Sequence, residues 1–193
     1  MKVAIVKYNA GNLQSVMFAL NRLGIEPIVT DDKELLLSAD KVIFPGVGQA
    51  SSAIDHLRAK GLDKVLTALK QPFLGICLGL QLMCRHSEEG DVDCLGIFPV
   101  DVKVFPPEDK VPHMGWNALQ GLKGELFKGI DEGGYVYFVH SYYAGLSEYT
   151  VAKTEYILPF SAALQKDNFY AAQFHPEKSG KEGETIIKNF LEL

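Results

Sequence analysis

Short apolar runs of strand length alternate along this chain with segments in which apolar residues recur every three or four positions. Residues 2–6, 27–30 and 41–44 are runs of the first kind and predict buried strands. Residues 13–23 place their apolar side chains on one helical face, and Gly24 ends this predicted helix. Strands that alternate with helices in this way predict an α/β fold in three layers, with helices on both faces of a mostly parallel central sheet.

The later part of the chain continues the same alternation. The patterns predict a helix at 57–69, strands at 100–104, 134–143, 149–156, 161–165 and 169–174, and an amphipathic helix at 183–193. Between these elements, residues 105–117 contain three prolines and the only tryptophan, which predicts a loop. Trp116 in that loop is interpreted either as an anchor for a partner or as a side chain folded onto the protein's own core.

The change from strand to helix at residues 72–81 is the centre of the functional prediction. This apolar run delivers Cys77 between Gly75 and Gly79, and helical spacing begins directly after it. Such a corner is typical of a nucleophile elbow, in which the corner residue adopts cramped backbone angles and the glycines let neighbouring elements approach closely. An isolated cysteine in an apolar run is more often a buried small hydrophobe, but the flanking glycines favour a nucleophile.

A second segment, His175-Pro176-Glu177, follows the predicted strand at 169–174. Proline keeps the residue before it extended, so we expect His175 and Glu177 to project to the same side of the chain. An imidazole whose second nitrogen is held by a carboxylate is the partner that a thiol nucleophile requires. These residues therefore favour a catalytic interpretation of Cys77.

Two other strand ends could complete such a site, because ligands bind at the carboxyl ends of strands in open α/β sheets. The first is Pro45-Gly46-Val47-Gly48, in which a loop N–H could join the N–H of Leu78 to form an oxyanion hole. The same residues also fit an ordinary strand-to-helix turn. The second strand end carries His140, Ser141 and Tyr142.

Composition and charge narrow the class of protein. The 193 residues suit one domain, spanning 1–193, and the net charge of −5 argues against a nucleic-acid or anionic-membrane partner. The five histidines and three cysteines show no metal-ligand spacing, and no G-x-G-x-x-G motif follows the first strand. The first apolar run is too short for a signal peptide, and no run has the length of a membrane helix. We therefore expect a cytoplasmic protein that needs no cofactor to hold its fold together.

At its two main motifs the sequence resembles the class I (triad) glutamine amidotransferases. Residues 75–81, Gly-Ile-Cys-Leu-Gly-Leu-Gln, are similar to the nucleophile motif of that family, and His175-Pro176-Glu177 to its base and orienting acid. The resemblance implies hydrolysis of glutamine to glutamate and ammonia, without a cofactor or metal. It implies these roles: catalytic Cys77, His175 and Glu177; an oxyanion hole from Val47 or Gly48 with Leu78; and glutamine contacts from Gly46, Gly48, Gln81, Ser141 and Tyr142.

Four stretches, 45–48, 111–117, 137–142 and 175–179, together with chain length, narrow the resemblance to one branch of the family. In that branch a separate glutaminase subunit of histidine biosynthesis forms a heterodimer with a (β/α)₈-barrel cyclase subunit and passes ammonia to it. The resemblance implies a partner interface near Asn12, Trp116, Tyr137 and Lys178. One departure is that Lys7-Tyr8-Asn9 stands where the branch usually has Asp-Tyr-Gly, which leaves the roles of Lys7 and Asn9 open.

Three alternatives remain open at this point. The chain could be a glutaminase that serves another acceptor, such as a partner from pyridoxal phosphate, anthranilate or purine synthesis. It could be a cysteine hydrolase or protease that acts without a partner. It could also be a non-catalytic binding subunit that has kept the shape of an amidotransferase.

Overall fold

A computed structural model describes residues 1–9 and 13–193, so the predicted interface residue Asn12 lies outside the described residues. The helices are α1 Leu13–Arg22, α2 Lys33–Leu37, α3 Ala50–Lys60, α4 Leu62–Ala68, α5 Leu78–Met83 and α6 Gly180–Glu192. The strands are β1 Val3–Val6, β2 Ile28–Thr30, β3 Lys41–Gly46, β4 Phe73–Cys77, β5 His86–Ser87, β6 Val92–Asp93, β7 Asp101–Val104, β8 His113–Ala118, β9 Tyr135–His140, β10 Tyr142–Ala144, β11 Thr150–Tyr156, β12 Leu158–Lys166 and β13 Phe169–Ala172.

A seven-stranded sheet with the order β11-β12-β13-β4-β3-β1-β2 forms the centre of the molecule. The five strands from β13 to β2 pair in parallel, and β11 and β12 add an antiparallel edge. This confirms the predicted mostly parallel sheet. Because β4 lies between β3 and β13, the ends of these three strands meet at one edge of the sheet.

Alternating side chains along the buried strands fill two separate cores. Val3 and Ile5 of β1 pack with residues of α1 and α6, whereas Ala4 and Val6 pack with residues of α2 to α5. Neighbouring residues in a strand point to opposite faces, so this division places helices on both sides of the sheet. The three-layer arrangement follows from it.

Several element bounds differ from the sequence prediction. Residues 113–117, expected in a loop, belong to strand β8, which pairs antiparallel with β9 over its whole length. The helix expected at 57–69 is divided at Gly61, whose φ of +63° closes α3. Strand β3 continues through Pro45 and Gly46, which were expected to be loop, because both residues pair with β4.

Two smaller sheets complete the fold: one with the order β10-β7-β5-β6, and the ribbon of β8 and β9. Strand β9 and the start of β10 bring residues 139–142 towards the end of β4, where the carbonyl oxygen of Val139 lies 3.8 Å from the sulfur of Cys77. Within residues 1–9 and 13–193, every helix is too short or too polar to cross a membrane.

Candidate active site

Cys77 stands at the corner between β4 and α5 with φ 54° and ψ −108°, backbone angles that are strained for a residue with a side chain. The sequence explains why the corner can form. A Cβ on Gly79 would overlap the carbonyl oxygen of Phe44 in β3, so only glycine lets α5 approach the sheet this closely. The nucleophile elbow expected from the sequence is therefore present in the structure.

His175 and Glu177 follow β13, the strand beside β4. The Nδ1 of His175 lies 2.8 Å from Oε1 of Glu177, and the two side chains are only 4% and 3% exposed. In the described part of the chain, neither Nε2 of His175 nor Oε2 of Glu177 has a hydrogen-bond partner. The carboxylate thus accepts the Nδ1 proton, and Nε2 remains for a reacting group.

The electrostatics of His175 link it to Cys77. Burial alone would lower the pKa of His175, but interaction with the Cys77 sulfur and the hydrogen bond to Glu177 outweigh it and raise the pKa to about 10. The sulfur is thus close enough to influence the imidazole, although the contact does not reach hydrogen-bond geometry at Nε2. Long contacts of this kind are usual before a substrate binds.

The sulfur also contacts two other groups. The thiol of Cys77 lies 3.8 Å from the carbonyl oxygen of Val139, to which it donates, and Nε2 of Gln173 donates to the sulfur over 3.7 Å. These weak contacts hold the side chain at the mouth of a cavity while leaving it 7% exposed.

A cavity of about 310 Å³ opens beside the sulfur, within the usual range for small-ligand sites. Most of the predicted substrate and oxyanion residues line it together with Cys77: Val47, Gly48, Leu78, Gln81, Ser141 and Tyr142. Gly46 does not line this cavity. It pairs with Cys77 in the sheet and lines a separate small cleft with His175 and Glu177.

Tyr8 and Asn9 connect the first loop to the end of β3 and to α3. The hydroxyl of Tyr8 donates to the carbonyl oxygen of Pro45 over 2.9 Å, and it packs where a side chain on Gly46 would stand. The amide of Asn9 donates to the hydroxyl of Ser52 in α3 over 3.0 Å. Asn9 stands where the resembled branch usually has glycine, and its side chain connects the first loop to α3.

Glu89 was missed by sequence reasoning although it lines the cavity. Its Oε2 accepts a hydrogen bond of 2.9 Å from the N–H of Ala50 at the start of α3, and burial raises its pKa in spite of that bond. Among the described residues that line the cavity it is the one acidic side chain, so it offers a counter-charge to an amino group. No local motif marks it, because only the path of the chain after α5 brings it to the cavity.

Three of the predicted interface residues, Trp116, Tyr137 and Lys178, lie in or beside the segment that carries His175. Trp116 is 55% exposed and packs edge-to-face on Tyr137 with ring centroids 6.0 Å apart. The backbone N–H of His175 donates to the carbonyl oxygen of Tyr137 over 2.9 Å. Lys178 is exposed in the same segment, so these three predicted residues share one face of the molecule.

Comparisons with known proteins show what this chain is similar to. The model of the family "Glutamine amidotransferase class-I" matches residues 5–193. The chain is 65% identical over 196 residues to the Bacteroides fragilis (strain YCH46) protein named "Imidazole glycerol phosphate synthase subunit HisH", with 100% of both chains covered. It is 48% identical over 196 residues to the Escherichia coli (strain K12) protein of the same name, again with 100% of both covered.

Solved structures support the same fold at lower identity. A structure titled as that of a glutamine amidotransferase superposes with a TM-score of 0.78 at 21% identity, covering 100% of this chain and 98% of the other. PurLQS from Thermotoga maritima superposes with a TM-score of 0.71 at 18% identity, covering 99% and 97%.

Proposed function

This chain belongs to the class I glutamine amidotransferase family, and on that premise we propose that it is the glutaminase subunit of imidazole glycerol phosphate synthase. The observation that carries the proposal is the full-length identity of 65% to a protein of that name. The subunit acts as one glutaminase domain in histidine biosynthesis, where it hydrolyses glutamine to glutamate and ammonia. The cyclase subunit then uses the ammonia to make imidazole glycerol phosphate and aminoimidazole carboxamide ribonucleotide.

Before the reaction the proton of Cys77 passes to Nε2 of His175, whose raised pKa keeps it there, and the sulfur then attacks the side-chain amide carbon of glutamine. Glu177 accepts a hydrogen bond from the opposite nitrogen and stabilises the charged ring beside the sulfur. His175 then returns the proton to the departing nitrogen, and ammonia leaves a thioester on the sulfur. Water activated by the same imidazole hydrolyses the thioester and restores the thiol.

Negative charge on the amide oxygen needs hydrogen-bond donors on the other side of the reacting carbon. Leu78 is the first residue of α5, so its N–H has no partner within the helix and is available for this role. The N–H of Val47 or Gly48 is the second donor in the proposal. Gly48 adopts a φ of +115°, which a residue with a side chain rarely reaches, so glycine is needed for this loop path.

The cavity lining accounts for recognition of the amino-acid end of glutamine. Glu89 provides a carboxylate for the α-amino group, and Gln81, Ser141 and Tyr142 provide polar groups on the remaining wall. The amide nitrogen of Gln81 already donates to the carbonyl oxygen of Tyr142 over 3.1 Å, so Gln81 also supports that wall.

We expect ammonia transfer to need a second protein, the (β/α)₈-barrel cyclase subunit. The exposed Trp116, with Tyr137 and Lys178 beside the segment that carries His175, supports docking on this face. A partner bound there would touch the segment that carries the base, which gives a physical route for activation. We therefore propose that the isolated subunit is nearly inactive until the cyclase binds its nucleotide.

A comparison of nitrogen sources tests the assignment of the nucleophile and the partner together. In the complex with the cyclase, Cys77→Ser should abolish glutamine-dependent synthesis while added ammonia still supports it. Cys94→Ser, a cysteine outside the cavity, is the matched control and should retain both activities. Equal loss of both activities in Cys77→Ser would indicate failed assembly, and full glutaminase activity without the cyclase would refute partner dependence.

The cellular location stays a prediction. All three cysteines lie in the described part of the chain and none forms a disulfide, as is usual in a reducing compartment such as the cytoplasm.

A further inference from the structure

Two buried histidines outside the triad, His113 and His140, lie directly opposite each other on β8 and β9. Nδ1 of His113 is 3.0 Å from Nε2 of His140, and Nδ1 of His140 is 2.7 Å from the carbonyl oxygen of Tyr142 in the cavity wall. The two residues are only 3% and 6% exposed. The mechanism described above uses neither imidazole as an acid or base.

Asn117 fixes the direction of the hydrogen bonds in this pair. Its Oδ1 accepts from the N–H of Ala118 over 2.8 Å, and its amide nitrogen donates to the carbonyl oxygen of Glu155 over 3.1 Å, so the amide has one orientation. The same nitrogen lies 3.2 Å from Nε2 of His113, which must therefore accept.

The protons of both rings follow from that orientation. Since Nε2 of His113 accepts, its proton is on Nδ1, which donates to Nε2 of His140. His140 then carries its own proton on Nδ1 and donates it to the carbonyl oxygen of Tyr142. Each hydrogen bond in this series therefore has only one possible direction. An extra proton on either ring would place two hydrogen-bond donors opposite each other.

The surroundings favour the neutral rings. Phe105, Phe138 and Phe160 pack around both imidazoles, with ring centroids between 4.8 and 6.4 Å away. Burial lowers the pKa of His113 to about 4 and that of His140 to about 3. The charge on His175 lowers the pKa of His140 further.

The carbonyl group of Tyr142 connects the histidine pair to Cys77 through further hydrogen bonds. It accepts a second hydrogen bond from Nε2 of Gln81 over 3.1 Å, and that nitrogen also donates to Oε1 of Gln173 over 3.1 Å. Gln173 in turn donates to the sulfur of Cys77. A continuous series of hydrogen bonds therefore runs from β8, through the wall of the glutamine cavity, to the sulfur.

We propose that His113 and His140 are positioning residues for glutamine hydrolysis, because they fix the carbonyl group of Tyr142 in the cavity wall. Their role depends on the glutaminase function proposed above, since glutamine is the molecule that this wall would hold. The two rings connect β8 to the cavity wall, which His140 itself lines, and they exchange no proton with the substrate.

Two variants of His113 with side chains of similar shape separate hydrogen bonding from packing. His113→Asn keeps an amide donor near the position of Nδ1, whereas His113→Leu has no donor and leaves the acceptor of His140 unpaired. In the complex with the cyclase, we expect the leucine variant to raise the KM for glutamine by about tenfold, with a smaller fall in kcat. The asparagine variant should stay within about threefold of the wild type, and both should keep ammonia-dependent synthesis.

Equal KM and kcat values for the two variants would overturn the positioning role. A wild-type complex that used ammonia but not glutamine would instead refute the proposed function itself. If the leucine variant does not fold, ¹⁵N NMR of the imidazoles in the wild-type chain at pH 7 decides the matter. Neutral Nδ1–H tautomers at both histidines would support the proposal, and an Nε2–H or charged form at either would overturn it.

Discussion

Lowering the pH from 7 to 5 should destabilise this protein through its buried histidine pair. The ordinary pKa of histidine is 6.5, but burial lowers that of His113 to about 4 and that of His140 to about 3. Below pH 6.5 the unfolded chain therefore binds protons that the folded protein cannot bind. The stability contributed by the neutral pair is complete above pH 6.5 and is lost as the pH falls towards 4.

The size of the effect follows from the two shifts. Each group changes the free energy of unfolding by about 1.4 kcal/mol per pH unit between its folded and unfolded pKa values. Between pH 7 and 5 this amounts to about 2 kcal/mol for each histidine, or about 3 to 4 kcal/mol for the pair. That is a large fraction of the free energy of unfolding of a protein domain, which is about 5–15 kcal/mol.

His175 acts in the opposite direction. Its folded pKa is raised to about 10, so its contribution is complete below pH 6.5 and is lost as the pH rises towards 10. A comparison between wild type and a variant that retains His175 cancels this contribution and leaves that of the pair.

Urea unfolding at pH 7 and pH 5 measures the effect. The double variant His113→Asn/His140→Asn has no imidazole at either position. Between pH 7 and pH 5 its free energy of unfolding should therefore decrease by about 3 to 4 kcal/mol less than that of the wild type. Its absolute stability does not matter, because the difference between the two pH values is compared. His56→Asn, on α3 and outside the pair, is the control. An equal loss in wild type and double variant would refute the reasoning.

Three further predictions concern the elbow, the triad and the first loop. Glu177→Gln removes the charge that holds His175, so kcat for glutamine should fall about 10- to 100-fold with a smaller change in KM, and an unchanged kcat in a steady-state glutaminase assay would contradict the role. Gly79→Ala should destabilise by about 2 kcal/mol or more in urea unfolding because its methyl group has no room, whereas Gly145→Ala, which meets open space, should cause no loss. Tyr8→Phe leaves a carbonyl group without its donor and should lower the free energy of unfolding by about 1 kcal/mol, whereas an unchanged urea midpoint would show that the bond adds no stability.

Local sequence was sufficient to predict the elbow and the local geometry of the segment that carries His175. The change from strand to helical spacing at Cys77 depends only on neighbouring residues, and proline at 176 fixes the geometry of its own segment. Parallel strands end at a common edge, so the meeting of Cys77 with His175 followed from the fold class and the family resemblance together.

The remaining parts of the site depend on contacts between distant residues. Three prolines made residues 105–117 look irregular, but β8 gains its order by pairing with β9, which local spacing does not reveal. The same pairing sets the register that joins His113 to His140. Glu89 reaches the cavity only through the path of the chain after α5, so no nearby residue signalled it.

The position of β4 has a consequence for synthesis of the protein on the ribosome. Cys77 is translated early, but its neighbouring strand β13 and the residues that follow, His175 and Glu177, emerge about a hundred residues later. Until then β4 has an unpaired side, and the thiol has no base beside it. Under the proposed mechanism, a growing or truncated chain therefore holds a cysteine that cannot hydrolyse glutamine until β13 has paired with β4.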